Sequence, residues 1–254
     1  MIIEPNHIYD VDCIEGMKNV GDKSIDLIFC DLPYGQTHNR WDNIIAFEPM
    51  WEQFERIIKD SGAIVLFAQG GFAARLIMSN EKLFRYDIVW EKTTPTGFHN
   101  ANLMPLRNHE QLLVFYKHLP TYNPQKTYGH ERKVSTAHHK RNSTMSSNYG
   151  KYELTTYDST ERFPTSVWKF ATDKQKSAIH PTQKPVDLCR YVIRTYTNPN
   201  DLVLDCTCGS GTIPLAAYIE NRQYIGMDNG VSESGKPWAV ITDERIKHYK
   251  YSYE

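Results

Sequence analysis

Two groups of residues have types and spacing that can do chemistry: Asp31-Leu32-Pro33-Tyr34, and, about 170 residues later, Asp205 with Gly209-Ser210-Gly211 and Asp228. Asp31 offers anionic acceptor oxygens and no donor. Pro33 fixes its own φ and holds Leu32 extended, so the Leu32 carbonyl is presented rather than absorbed into a helix. Tyr34 adds a flat face for stacking. Two acceptors and a platform suit a planar ring bearing an exocyclic NH2, such as adenine or cytosine. A strand followed by an ordinary X-Pro turn with a packed Tyr is the plainer reading of the same tetrapeptide.

In the second group, a strand, a Gly-x-Gly turn, a helix, a strand and an acid follow one another. That is the nucleoside-binding order of Rossmann-like sheets. The glycines let backbone approach a ligand closely, and Asp228, 17 residues after Gly211, is placed to meet ribose hydroxyls. Two glycines instead of three, and no group placed for a pyrophosphate, argue against NAD or FAD.

The elements that must position these residues are legible as patterns. Ile25 to Cys30 is an apolar run that reads as a buried strand, so Asp31 stands at its carboxyl end, where open α/β sheets bind ligands. His7–Asp12 is a short strand candidate, and Cys13–Met17 begins a short helix. Apolar positions 47, 50, 51, 54, 57 and 58 predict an amphipathic helix over 47–59 that Ser61-Gly62 stops. Strands are predicted at 63–68, 86–90, 110–116, 202–204 and 224–227. Helices are predicted at 72–79, after Pro185, at 213–220 and at 242–249. This alternation predicts an α/β fold, a Rossmann-like, doubly wound, mostly parallel sheet.

The 254 residues fit one large α/β domain, or a domain with an insert. The formal charge of −1 hides an uneven distribution: 117–178 holds eleven Lys/Arg against five Asp/Glu, leaving the remainder at about −7. Laced with tyrosines, that stretch suits a phosphate backbone with stacking partners, or equally a solvated surface insert. No apolar run approaches the ~20 residues of a membrane span and no signal pattern opens the chain. The five scattered cysteines suit reduced thiols in a cytoplasm, and Cys206-Thr207-Cys208 lacks the second pair a zinc site needs, so no metal is expected.

Together these residues resemble the β-class amino-group DNA methyltransferases that use S-adenosylmethionine. Their catalytic pattern is Asp/Asn/Ser-Pro-Pro-Tyr and their cofactor turn follows a strand-ending Asp. The order here, catalytic stretch first, matches that class, a circular permutation of the sheet. Trp90-Glu91-Lys92, His109-Glu110 and His180 to Pro185 extend the likeness over nearly the whole chain, toward short, often phage- or prophage-borne members.

The resemblance implies a catalytic half at 1–116, a target-recognition insert at 117–178 and a cofactor-binding half at 179–254. It implies that Asp31 and the Leu32 carbonyl accept from the target amine and that Tyr34, held by Pro33, stacks on a flipped-out base. Asp12, Gln183, Lys184, Asp205, Gly209, Gly211, Thr212 and Asp228 would hold the cofactor. Arg40, Phe98, Lys133, Lys140 and Arg141 are the DNA-binding candidates. Asp as first catalytic residue implies adenine N6, since cytosine-N4 members more often carry Ser. Leu32 replaces the usual first Pro but keeps its carbonyl. Thr207 stands where an aromatic is common, and Cys206 where Pro is. The implied partner is double-stranded DNA in a bacterial cytoplasm, with a homodimer left open and no membrane. A cytosine-N4 enzyme, an RNA or glutamine methyltransferase, and a non-catalytic nucleic-acid-binding module are the rival readings.

Overall fold

The computed structural model describes residues 2–35, 43–136, 156–173 and 183–253. Contacts divide the chain into one unit formed by Met1–Asn123 with Ser166–Glu254 and a second formed by Pro124–Thr165. The first unit holds an eight-stranded sheet. In chain order its elements are β1 (His7–Tyr9), α1 (Cys13–Met17), β2 (Ile25–Cys30), α2 (Phe47–Ile57), β3 (Ile58–Ala68), α3 (Gly70–Ser79), β4 (Phe84–Thr96) and β5 (Arg107–Phe115). In the second unit lie β6 (Lys133–Ser135) and β7 (Tyr157–Ser159). The first unit resumes with β8 (Val167–Phe170), α4 (Val186–Tyr196), β9 (Leu202–Asp205), α5 (Thr212–Ile219), β10 (Gln223–Met227) and α6 (Trp238–Tyr253).

The sheet order is β1-β10-β9-β2-β3-β5-β4-β8. Five neighbouring pairs are parallel, and only β5 runs antiparallel, against β3 and β4. From β9 the chain winds outward to β10, and from β2 it winds the other way to β3. The β9/β2 junction is therefore the point where winding reverses, and a crevice opens there at the carboxyl ends.

Alternate residues of the central strands face opposite layers. Ile28 and Cys30 of β2, with Ile64 and Leu66 of β3, pack into a core with Met17, Met50, Phe54 and Phe72. Leu27 and Phe29, with Val65 and Phe67, pack against Leu188, Val192, Ile193 and Ala216 on the other face. Strands covered on both faces need unbroken apolar runs, which is why 25–30 and 63–68 read so clearly. Each large side chain fully buried there contributes about 1.5–3 kcal/mol.

Boundaries differ from the pattern-based expectations in instructive places. Helix α2 stops at Ile57 rather than Lys59, because Ile58 is already extended (φ −70°, ψ 135°) and opposite Ile25. The register then slips between Ile25 and Leu27, where a Cβ on Gly62 would come within 2.8 Å of the Asp26 carbonyl oxygen. Strand β1 is shorter than expected, because Asp12 caps α1, its Oδ1 accepting from Ile14 N (2.9 Å) and Glu15 N (3.2 Å). Strands β4 and β5 are longer, and α6 starts four residues earlier than the predicted Thr242.

In the second unit, β6 and β7 pair antiparallel. Arg132 grips Asp158 with two hydrogen bonds (2.8 and 2.6 Å), and Lys126 pairs with Glu161 at 2.8 Å. Lys133 is exposed. Arg40, Lys140 and Arg141 lie outside the described residues.

Candidate active site

The crevice at the winding reversal is a cavity of about 1010 Å³. Asp31, Leu32, Pro33 and Tyr34 line it from the end of β2, Asp205 from the end of β9, Gly209 from the turn before α5, and Asp228 from the end of β10. Small-molecule sites usually span about 300–1,000 Å³, so the cavity lies at the large end of that range.

Asp31 is held on three sides. Tyr34 Oη donates to its Oδ1 (3.0 Å), Lys184 Nζ lies 2.8 Å from its Oδ2, and Thr207 Oγ1 donates to its carbonyl (3.2 Å). Its side chain keeps 24% of its surface exposed. Burial pushes its pKa above the usual carboxylate range, with Glu110 adding to the push and Lys184 opposing it. Tyr34 stacks on Phe72, ring centres 4.8 Å apart.

Lys184 enters from the segment just before α4 and is almost fully buried. Its Nζ lies 3.2 Å from Glu110 Oε2 on β5, and Lys92 on β4 holds Glu110 Oε1 at 2.5 Å. Burial works against the Lys184 charge, but Asp31 and Glu110 outweigh it and raise its pKa. Burial likewise opposes ionisation of Glu110, and Lys184 and Lys92 overcome it, so its pKa is lowered. The result is a buried line of alternating charge: Asp31, Lys184, Glu110, Lys92.

The glycine turn is clasped from two sides. Gly209 N donates to Asp228 Oδ2 and Gly230 N to its Oδ1, both at 2.8 Å. From α6, Thr242 Oγ1 donates to the Gly209 carbonyl (2.7 Å), and Arg245 donates to the Ser210 carbonyl (2.8 Å) and to Thr212 Oγ1 (3.1 Å). Gly211 adopts φ +77°, and a Cβ there would run into the Thr242 side chain. A Cβ on Gly209 (φ +48°) would meet nothing within 4 Å, so this glycine borders the open cavity.

Of the cofactor candidates, Asp12, Gln183, Lys184, Asp205, Gly209, Thr212 and Asp228 all line this cavity. Gly211 stands behind it as the cap of α5. Phe98 lies on a one-turn helix after β4 and is 79% exposed. Lys92 and Glu110 carry no role in the sequence pattern, nor do Thr242 and Arg245, nor Trp238, which also lines the cavity. Lys92 and Glu110 sit in β-strand text, and nothing in their spacing marks two charges buried against each other. Thr242 and Arg245 are three apart on one helix face, which reads equally as a surface.

A match to the family described as DNA methylase (N6_N4_Mtase) spans residues 25–232. The chain belongs to that family. It is therefore an S-adenosylmethionine-dependent DNA methyltransferase of the amino (N6 or N4) type. It is 28% identical over 247 residues to the type II methyltransferase M1.MboII of Moraxella bovis, covering 89% of this chain and 93% of the relative. To the orphan methyltransferase M.BamHII of Bacillus amyloliquefaciens it is 26% identical over 276 residues, with 91% and 92% covered. Among solved structures, M1.HpyAVI in complex with S-adenosylmethionine superposes with TM-score 0.61 at 22% identity, covering 94% and 98% of the two chains. The cytosine-N4-specific PvuII DNA methyltransferase gives 0.66 at 16%, covering 97% and 92%. These two likenesses establish the fold, the Rossmann-like doubly wound sheet.

The cavity suits the methyl donor on its own chemistry. Burial raises the pKa of Asp205 well above the usual range, and Asp31 and Asp228 push it further. Asp228 is likewise raised by burial. A ligand with sulfonium and ammonium charges relieves that mutual repulsion, and the open ground above Gly209 admits it against the backbone.

Proposed function

We propose that this methyltransferase acts on adenine N6 of a base swung out of double-stranded DNA, with Asp31, Leu32, Pro33 and Tyr34 forming the catalytic face. The observation that carries the reading is that one cavity is lined both by Asp31–Tyr34 and by the Asp205–Ser210 turn, from distant parts of the chain. Asp205, Gly209, Thr212 and Asp228 would hold the methionine and ribose portions of the cofactor, with Gly211 shaping their turn. Asp12 would meet its adenine, and Gln183 with Lys184 would close over the methionine end. When bound, S-adenosylmethionine supplies an electrophilic methyl on a sulfonium sulfur.

An aromatic exocyclic amine is a poor nucleophile because its lone pair is delocalised into the ring. Asp31 and the Leu32 carbonyl, each accepting one of its protons, favour a more localised, tetrahedral nitrogen. They also fix its direction of attack. Asp31 stabilises the positive charge that develops on nitrogen and takes up the proton that is lost. Extruding the base costs a few kcal/mol. Stacking of the base on Tyr34 would return about 1–3 kcal/mol. Lys133 and the basic residues of 117–178, with Arg40 and Phe98, would contact the DNA.

The test is to methylate unmodified DNA, digest it to nucleosides and read the product by mass spectrometry. N6-methyldeoxyadenosine is expected. N4-methyldeoxycytidine would overturn the adenine assignment, and methylation of RNA or peptide in place of DNA would overturn the substrate class.

A further inference from the structure

The carboxylate that must receive the target amine already has partners. Asp31 Oδ1 accepts from Tyr34, and its Oδ2 faces the Lys184 ammonium at 2.8 Å. An ammonium fixed there takes up a lone-pair direction and draws charge from the oxygen. Yet Lys184 is shared: Glu110 Oε2 lies 3.2 Å from the same nitrogen, and Glu110 is itself pinned by Lys92. All four side chains line the cavity. Two acids and two lysines leave the line neutral.

We propose that Glu110 is a positioning residue for methyl transfer: its buried Oε2, 3.2 Å from the Lys184 ammonium and without a hydrogen-bond partner among the described residues, receives that ammonium when the target amine arrives, so that Asp31 Oδ2 can accept the amine, and Lys92 keeps Glu110 in place to do so. The inference rests on the assignment of Asp31 to the target amine. With Glu110 gone, Lys184 has no second anion to move to and stays on Asp31, in competition with substrate. Charged and titratable groups surround Asp31 on every packed element. Tyr34 stands on its own turn, Lys184 before α4, Cys189 on α4, Asp205 at the end of β9, and Glu110 and Lys92 on β5 and β4. Glu110 opposes ionisation of Asp31 and Lys184 favours it. Removing each should therefore move the acid limb of the rate profile in opposite directions.

The experiment is single-turnover methyl transfer to unmethylated duplex DNA across pH, for wild type, E110Q, K184Q and D31A, with cofactor binding measured alongside. E110Q should lose about 10- to 100-fold of the plateau rate while its acid limb moves to lower pH. E110D, which keeps the charge, should recover most of the rate. K184Q should move the limb to higher pH. General damage to the fold lowers the active fraction without moving a limb downward. Should E110Q fail to fold, E110Q/K92Q leaves no unbalanced buried charge and carries the same test, its limb falling below that of K92Q. A plateau within about threefold of wild type, or a limb unmoved or raised in E110Q, overturns the proposal. An inactive D31A together with such an E110Q ends only the role of Glu110. A D31A that turns over like wild type ends the Asp31 assignment itself.

Discussion

At the scale of single residues, Asp31 must be ionised when the amine arrives if it is to accept the amine's proton. Burial and Glu110 hold its pKa above the usual carboxylate range, beyond what Lys184 takes back. An exposed Asp titrates near about 3.9. Methyl transfer should therefore begin to fall, as pH drops, at a higher pH than an ordinary Asp would allow. A rate–pH profile flat down to about pH 4 would contradict this. Tyr34→Ala should slow transfer by about 5- to 150-fold, the equivalent of the stacking contribution, and leave cofactor affinity unchanged. An unchanged rate would remove stacking from the account. The acid and the ring were legible in the sequence because an X-Pro turn after an apolar run has few places to be. The lysine that holds the acid was legible only as motif text, because its two partners come from strands β2 and β5, distant in the chain.

At the scale of elements, the glycine turn before α5 is held by α6, which follows it in the chain. Thr242 and Arg245 of α6 reach back to the Gly209 and Ser210 carbonyls. Thr242→Ala removes one such hydrogen bond and should cost about 0.5–1.5 kcal/mol of stability, with weaker cofactor binding as the second readout. Gly211→Ala should cost more, since it adds backbone strain to a clash with Thr242. In the Thr242→Ala background part of that cost should vanish, which a double-mutant cycle measures. Equal costs in both backgrounds would show that the clash is not the cause. Periodicity located the central strands and most helices because both faces of the sheet are covered. It misplaced the end of α2, because Ile57 and Ile58 are both apolar and serve a helix and a strand equally well. It shortened α6 because residues 238–241, Trp-Ala-Val-Ile, show no helical period by themselves.

At the scale of the whole molecule, charge is divided between regions, and the count alone overstates what is available to DNA. In the second unit Arg132 is committed to Asp158 and Lys126 to Glu161, whereas Lys133 is exposed. Lys133→Ala should lower the salt slope of DNA binding by about 1, and Arg132→Ala by less. Equal slopes for wild type and Lys133→Ala would place the phosphate backbone elsewhere. The central claim is that residues 31–34 and 205–210 serve one cavity, the first doing chemistry and the second holding the methyl donor. The most direct test is Asp31→Ala, assayed for transfer of labelled methyl to DNA while cofactor affinity is measured by calorimetry on the same preparation. Transfer should be lost and cofactor affinity retained. Transfer near the wild-type rate would contradict the claim.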